Sequence, residues 1–374
     1  LLPGIPMIPF VGLSIVIGGL AFFLYQKEIN KEREAETLLL EANQNEMEEE
    51  PVSSALQIDQ VRLELGYGLL PLVSETDENY RLTDQIKSLR RQIASESGFI
   101  MPQVRIQDNL QLPPNSYVVR IKEIEVGSSD IRPNRLLVMD ASGDTIDLPG
   151  TETIEPTFGL PAMWVDPDNR EEATFKGYTV VDPATVITTH LTELIRDNMS
   201  ELLSYVETQN LLDELPNEHQ KLVGEVVPNQ ISVGGIQRVL QNLLNERVSI
   251  RDLPTILEGI SEACAFTRNV TQLTEHVRSR LARQISEQNS TEDNFIPLVT
   301  LSAEWEQIFS DSILDQGEDK QLSMAPSQLQ RFIGAVRNTL DELADKEDPP
   351  VVLTSPSARP FVRSIIERFR PAIS

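Results

Sequence analysis

Residues 1–25 (LLPGIPMIPFVGLSIVIGGLAFFLY) carry no charge, and this feature constrains the fold of the chain more than any other. About 20 consecutive apolar residues are enough for a helix to cross the ~30 Å hydrocarbon core of a bilayer. The first basic residue, Lys27, follows the run, whereas a signal peptide has its basic residues before the apolar segment. The sequence predicts a transmembrane helix over residues 1–26; a buried helix of a soluble core is the disfavoured alternative.

The segment after this run predicts an acidic flexible linker over residues 27–57. Between Glu28 and Glu50 there are nine Glu and two basic residues, without a sustained helical stripe of apolar residues. Basic residues just after the apolar run favour a cytoplasmic C-terminal side. The apolar exception is Leu38, Leu39 and Leu40, which is a candidate inter-subunit contact or, equally, an isolated helical turn with exposed leucines.

The charge and the cysteine count exclude several classes of protein. With 32 basic and 58 acidic residues, the net charge is −26, and such a chain has no sequence-independent affinity for nucleic acid. We therefore expect partners to meet it through apolar or mixed surfaces, or through basic patches of their own. One cysteine, Cys264, excludes an intrachain disulfide and a multi-cysteine zinc site.

Beyond the linker, strand and helix patterns predict an α+β multidomain chain with four small subdomains. Strands are expected at 63–73, 103–107 and 117–126, and Leu82, Ile86, Leu89 and Ile93 predict a helix over 82–97. Short strands with turns follow, then amphipathic helices, then alternating strands and helices. The predicted subdomains are an α/β unit (58–133 and 183–203), an inserted β-rich α+β unit (134–182), a helical unit (204–290) and a C-terminal α/β unit (291–374).

Both ends of the chain predict a longer protein. There is no initiator Met, so we expect a preceding N-terminal portion. The chain stops at Ser374, where the alternation of strands and helices calls for another strand, so we expect the C-terminal unit to be truncated.

The motifs of common catalytic and cofactor sites are missing from the sequence. There is no Walker A loop and no G-x-S-x-G elbow, so we expect no catalytic residue and no cofactor. His190 and Glu193 share a helix face, but two ligands do not make a metal site, and we expect no metal. An enzymatic alternative rests on Thr354-Ser355-Pro356-Ser357, which precedes a helix and could cradle an anion.

A basic cluster stands out against the acidic background. His276, Arg278, Arg280 and Arg283 follow one another on a predicted helix. Arg278 and Arg280 are candidates for contacts between subunits, and an ordinary solvated helix face is the equally open alternative.

Five long segments, in a fixed order, resemble the export gate family of type III secretion, which comprises flagellar export gate proteins and their injectisome counterparts. They cover nearly the whole chain: LELGYGLLPLV (63–73), IKSLRRQIASESGFIMPQVRIQDN (86–109), IEPTFGLPAMWV (154–165), DPATVITTHLTELI (182–195) and VLQNLLNERVSIRDLPTILEGI (239–260). The amino-acid sequences at 66–73 and 239–252 favour the flagellar branch, and the injectisome branch is the alternative.

The resemblance implies a protein of the bacterial inner membrane whose cytoplasmic part forms a ring of nine copies. That ring is expected to dock export chaperones with their substrates, other export gate proteins and proteins of the ATPase complex, for secretion driven by the proton motive force. The chain would be non-enzymatic, with residues 27–374 in the cytoplasm.

The resemblance also implies a chaperone-docking pocket formed by Glu155, Phe158 and Thr189. Phe158 would be an apolar anchor, Glu155 a charged acceptor and Thr189 a small polar wall. Two departures from the family pattern matter. Glu155 replaces the usual Asp, and the linker lacks the Trp with which enteric flagellar members dock on the adjacent subunit.

Overall fold

The computed structural model describes residues 58–74, 81–140, 143, 145–316, 319–343 and 350–369. The predicted transmembrane helix and the whole predicted linker, with Leu38, Leu39 and Leu40, lie outside these residues. The chain divides into residues 1–59 and 60–374, and every element below belongs to the second unit. Within the described ranges, no helix combines the length and the apolar character needed to cross a bilayer.

The first sheet has four strands in the order β2-β1-β3-β4, of which only β1 and β2 run parallel. Along β1, Val61, Leu63 and Leu65 alternate with polar residues and are fully buried, as period-two patterning requires. The strands are β1 (Val61–Leu65), β2 (Val104–Asp108), β3 (Ser116–Ile121) and β4 (Ile124–Asp130).

The prediction of one strand over 63–73 is wrong beyond Leu65. The chain leaves β1 at Gly66 and continues through a 3₁₀ turn (Tyr67–Leu69) into the short helix α1 (Pro71–Ser74). The Gly66 N–H donates to the Ser116 carbonyl at 2.9 Å, which ties this bend to the start of β3. A Cβ on Gly66 would lie 2.2 Å from the Pro113 carbonyl oxygen, so the close approach requires glycine.

The predicted strand over 117–126 is in fact a hairpin. Lys122 and Glu123 both adopt positive φ angles, 48° and 70°, and form the two-residue turn between β3 and β4. The predicted helix over 82–97 is confirmed: α2 (Leu82–Ser97) buries Leu82, Ile86, Leu89 and Ile93 and ends at Gly98, whose φ is 71°.

A second four-stranded sheet, antiparallel throughout, lies between β4 and the next long helix. Its order is β6-β7-β5-β8, so β6 is an edge strand. Its strands are β5 (Leu136–Met139), β6 (Gly150–Ile154), β7 (Pro161–Val165) and β8 (Thr179–Val181), with a short helix, α3 (Arg170–Phe175), before β8. Leu136, Val138, Met163, Val165 and Ala173 form a small apolar cluster of their own on one face.

Seven helices follow β8, and the predicted start of the first is confirmed. Asp182 caps α4 by accepting a hydrogen bond from the Thr185 N–H at 2.9 Å, with Pro183 in the first turn. The apolar residues that recur at helical spacing over 233–244 predict one buried stripe, and on α7 this stripe is buried. The helices are α4 (Pro183–Leu202), α5 (Tyr205–Asp213), α6 (Asn217–Val226), α7 (Val233–Asn245), α8 (Leu253–Ala263), α9 (Val270–Arg280) and α10 (Ala282–Gln288).

The remaining elements form the C-terminal unit. The alternation of strands and helices in this unit predicts a parallel sheet, and β9 and β12 are indeed parallel, since Val351 pairs with Leu298 and Leu353 with Thr300. The antiparallel hairpin β10–β11 was not predicted. The elements are β9 (Leu298–Thr300), α11 (Ala303–Ser312), β10 (Ile313–Gln316), β11 (Asp319–Leu322), α12 (Pro326–Glu342), β12 (Val351–Leu353) and α13 (Arg359–Ile366).

Candidate functional site

The turn between β6 and β7 is organised by the side chain of Glu155. One carboxylate oxygen accepts the Thr157 N–H at 2.9 Å and the other accepts the Phe158 N–H at 2.6 Å. Hydrogen bonds from a charged acceptor are stronger than neutral ones, so they fix the backbone of the turn. Glu155 is only 3% exposed, and its extra methylene relative to Asp still lets the carboxylate reach back to its own turn.

This turn exposes an apolar surface. Phe158 is 64% exposed, and Ile154 at the end of β6 is 68% exposed. Gly159, with φ at 70°, lets the backbone return to β7 directly after Phe158. A large ring held outward by a rigid turn is a suitable anchor for a partner, because little conformational entropy is lost on binding.

A cavity of about 600 Å³ opens beside this turn, between the first sheet and the edge strand β6. Tyr117 and Val118 line it from β3, Asp130 from β4 and Ile154 from β6, with Pro113 at the loop before β3. The mixture of apolar walls and a few polar groups is typical of a binding cleft.

A buried polar pair lies behind the turn. The Tyr117 hydroxyl and His190 Nδ1 are 2.6 Å apart, and both side chains are buried. Burial, together with the negative charge of Glu155, raises the pKa of Tyr117. Burial also lowers the pKa of His190, although the Glu155 charge opposes this shift. The pair is therefore neutral near pH 7, with the carboxylate of Glu155 as the charge nearby.

The packing of β4 on α4 sets the position of His190. A Cβ on Gly127 would lie 2.6 Å from the Leu194 side chain and 3.0 Å from the imidazole ring of His190. Glycine at this point of β4 therefore allows the strand and the helix to approach closely. A lone histidine on this helix is expected to be a core or pocket histidine with a hydrogen-bond partner nearby, and its contact with Tyr117 agrees with that.

The three predicted pocket residues occupy two different places. Glu155 and Phe158 share the β6–β7 turn. Thr189 is half-buried on α4, next to His190, and lines a groove of about 770 Å³ between α2 and α4. The groove is polar, with Gln85 and Ser88 of α2 facing threonines of α4. That Thr189 shares one docking pocket with Glu155 and Phe158 stays a prediction.

Arg278 and Arg280, the candidates for contacts between subunits, differ in environment. The Arg278 side chain is 15% exposed, and its Nη1 lies 2.5 Å from a carboxylate oxygen of Glu246. Arg280 is 42% exposed and pairs with Glu258 at 3.3 Å. Both guanidinium groups therefore contact acidic groups of their own chain, and their role between subunits stays a prediction.

The hydroxyl-rich loop on which the enzymatic alternative rests already holds an anion of the chain itself. The Glu306 carboxylate accepts hydrogen bonds from the Thr354 hydroxyl at 2.7 Å and from the Ser355 N–H at 3.0 Å and hydroxyl at 2.6 Å. Burial alone would raise the pKa of Glu306, but these hydrogen bonds outweigh it and lower the pKa. The donors that would cradle a phosphate are thus used by a side chain.

The described part of the chain is expected to hold no metal site. Among the described residues, no group of three or more such side chains could hold a metal ion. Cys264 is buried in the large apolar cluster, as predicted for a packed thiol.

The supporting pair of Tyr117 and His190 was not predicted as part of the site. Tyr117 lies within an apolar run in the sequence, and its partner is 73 residues away. A single histidine on an otherwise apolar helix face was the one available signal, because such a group must find a buried hydrogen-bond partner.

The chain is similar to a known protein family, to curated proteins and to solved structures. The model of the FHIPEP family matches residues 1–374. The flagellar biosynthesis protein FlhA of Caulobacter vibrioides is 52% identical over 371 residues, which are 99% of this chain and 53% of that protein. The chain thus spans about half the length of this curated relative.

Two solved structures show the same fold. A complex of the Chlamydia pneumoniae proteins CdsV and CdsO matches with a TM-score of 0.75 and 25% identity, covering 85% of this chain and 92% of that one. A nonameric EPEC SctV-C matches with a TM-score of 0.67 and 22% identity, covering 84% of this chain and 92% of that one.

Proposed function

Because the chain belongs to the FHIPEP family, we propose that it is the docking part of a flagellar type III export gate, which receives chaperone–substrate complexes for secretion. The exposed Phe158, held by the buried Glu155 beside a cleft, is the observation that carries the proposal. Its ring supplies apolar area at the centre of a potential contact, and the rigid turn lowers the entropic cost of binding.

The 52% identity with a flagellar FlhA supports the flagellar branch over the injectisome branch, since the matched CdsV and SctV-C structures are at 25% and 22% identity. We place residues 1–26 in the bacterial inner membrane and the rest in the cytoplasm. The nonameric SctV-C supports a ring of nine copies, and the CdsV–CdsO complex supports a further surface for another protein of the secretion apparatus. The proposed role is non-enzymatic.

The test is calorimetric binding of the full chain, in detergent, to a flagellin–chaperone complex from the same organism. Phe158→Ala should weaken binding by about 2 kcal/mol, or about 30-fold, because truncating a central aromatic anchor removes most of its contact area. The matched control is Phe175→Ala, since Phe175 is 93% exposed at the end of α3, in the same inserted unit.

The two variants distinguish a specific anchoring role of Phe158 from a general contribution of exposed apolar area to binding. Phe175→Ala should bind like the wild type, and both variants should melt like it, because neither ring belongs to a core. Equal losses in the two variants would mean that Phe158 is not a specific anchor. Binding of injectisome chaperones in place of the flagellar complex would transfer the protein to the other branch.

A further inference from the structure

The C-terminal unit and the rest of the described chain have separate apolar cores. The large apolar cluster takes its members from residues 61–285. The cluster of the C-terminal unit, centred on Phe309 and Phe332, takes its members from residues 301–369. Hydrophobic burial is the main force that holds parts of a protein together, and these two parts share no apolar core. Their relative position must therefore depend on other contacts.

Ion pairs cross this boundary at the start of α13. Arg359 Nη1 donates to Glu275 Oε1 of α9 at 2.6 Å, and its Nη2 pairs with Glu246 at the C-terminal end of α7. Glu246 also contacts Arg278 Nη1 of α9 at 2.5 Å. One carboxylate from the helical region therefore bridges a guanidinium of its own region and one of the C-terminal unit.

These charges are largely removed from water. The side chains of Arg359 and Glu275 are 23% and 18% exposed, and those of Arg278 and Glu246 are both 15% exposed. Burial alone would lower the pKa of Arg359, but its pairing with Glu246 and Glu275 outweighs burial and raises it. Charges that are mostly buried interact more strongly than charges on the surface. Removing one partner of such a pair leaves the other desolvated and unpaired.

The covalent connection between the two parts permits movement. Residues 289–297 lie between α10 and β9, and Glu292, Asp293, Asn294 and Phe295 are exposed. The connection closes on itself, since the Thr291 N–H donates to the Phe295 carbonyl at 2.9 Å. Such an exposed, self-contained turn can act as a hinge, because rotation about it need not disturb either core.

We propose that Arg359, Arg278, Glu246 and Glu275 form an electrostatic latch, which holds the C-terminal unit against α7 and α9 and whose opening lets that unit turn about residues 289–297. Closed, the latch sets a single position of the C-terminal unit. Open, it leaves two intact cores joined by a hinge. This inference does not depend on what the protein docks.

The test measures the distance between the two parts in the full chain in detergent. Cys264→Ser removes the native thiol, and spin labels are attached at two exposed positions, Thr271→Cys on α9 and Asn338→Cys on α12. The protein with the latch intact should give one narrow distance distribution by pulsed electron resonance. Arg359→Gln removes the guanidinium charge that pairs with Glu246 and Glu275 across the boundary. This variant should add a second population at longer distance.

Salt provides an independent arm of the same experiment. Raising the ionic strength from about 0.1 M to about 1 M shortens the Debye length from about 10 Å to about 3 Å. Because the paired side chains are only 15–23% exposed, salt screens them less than surface pairs, so the distribution of the latch-intact protein should broaden modestly and only toward 1 M, while that of Arg359→Gln should change little. Arg331→Gln is the matched control, since Arg331 pairs with Glu304 inside the C-terminal unit at 3.2 Å.

A second variant keeps the proposal open to refutation if Arg359→Gln folds poorly. Glu246→Gln removes the bridging charge from the other side of the boundary and should give the same second population, with amide protection of α7 and α12 retained in hydrogen exchange. A narrow distribution in both variants at every salt concentration would overturn the latch. A broad distribution in the latch-intact protein at low salt would overturn it equally.

Discussion

The two boundaries of the helical region are built in opposite ways. Toward the first sheet it shares one apolar cluster, in which Leu63 of β1, Ile187 of α4 and Leu243 of α7 are all fully buried. Toward the C-terminal unit the contact consists of the charged side chains around Arg359. An apolar boundary has no alternative arrangement without exposing surface, whereas a charged boundary can exchange its partners for water. One boundary thus favours rigidity and the other favours movement.

Truncating the core of the C-terminal unit tests its independence and should give the largest effect. Phe309 is fully buried and stacks edge-on against Phe332, with ring centroids 5.0 Å apart. Phe309→Ala should cost about 4 kcal/mol, because a large cavity remains at the centre of a small core. Hydrogen exchange should show the loss in α11 and α12 while β1 and α7 keep their protection. Leu314→Ala, at a 46% exposed position in the same unit, is the control.

The same experiment in the shared core should give a wider response. Leu243→Ala on α7 should cost about 3 kcal/mol, since a fully buried leucine is lost. Because the cluster is shared, exchange should accelerate in β1 and α4 as well as in α7. Val206→Ala, at a 64% exposed position on α5, should change stability by less than about 0.5 kcal/mol. Acceleration confined to α5–α9 would show that the sheet and the helices do not unfold together.

A backbone contact across the apolar boundary gives a third test. A Cβ on Gly98 would lie 2.5 Å from the backbone of Arg251, and the φ of Gly98 is 71°. Gly98→Ala should therefore destabilise by about 2 kcal/mol, since an unfavourable backbone conformation and a clash between two backbones add. Gly224→Ala is the matched control, because its added Cβ would meet nothing within 4 Å. In chemical denaturation that variant should be neutral or slightly stabilised.

Elements with local determinants could be predicted from the sequence. The helix over 82–97 has its apolar residues at the helical period and a glycine directly after it, and both boundaries agree with the structure. The α7 stripe was equally clear. In contrast, β6 (GTETI) is an exposed edge strand without alternation, so its pairing with β7 is decided by tertiary contacts.

The remaining differences have the same physical origin. The hairpin turn at Lys122 and Glu123 lacks the usual glycine or asparagine, so no local signal interrupts the apolar pattern. At the candidate site, Glu155 and Phe158 were identified by family resemblance alone. The burial of Glu155 and the pairing of Arg278 with Glu246 depend on residues distant in sequence, which periodicity does not reveal.

Lowering the pH should change the stability of the two boundaries in opposite directions. This is the smallest effect predicted. Burial lowers the pKa of His190 in the folded protein, so the unfolded chain binds more protons as the pH falls below about 6.5. Stability of the region around α4 should therefore decline through that window. At Glu275 in the latch, burial and the charge of Glu246 raise the pKa more than the charge of Arg359 lowers it, so the folded state takes up the proton first, while Arg359 keeps its pair with Glu246. The contribution of Glu275 to the free energy of unfolding should therefore grow as the pH falls from its raised pKa in the folded state to its ordinary pKa in the unfolded chain.

Hydrogen exchange of the full chain, corrected for intrinsic pH dependence, can separate the two signs. His190→Gln should remove the acid-dependent loss of protection in β3 and α4, and Glu275→Gln should remove the acid-dependent gain at α13. His219→Gln is the control for histidine content, since His219 lies on α6 away from both places. If both boundaries lost or gained protection equally at low pH in the wild type, the two would differ in composition but not in the pH dependence of their stability.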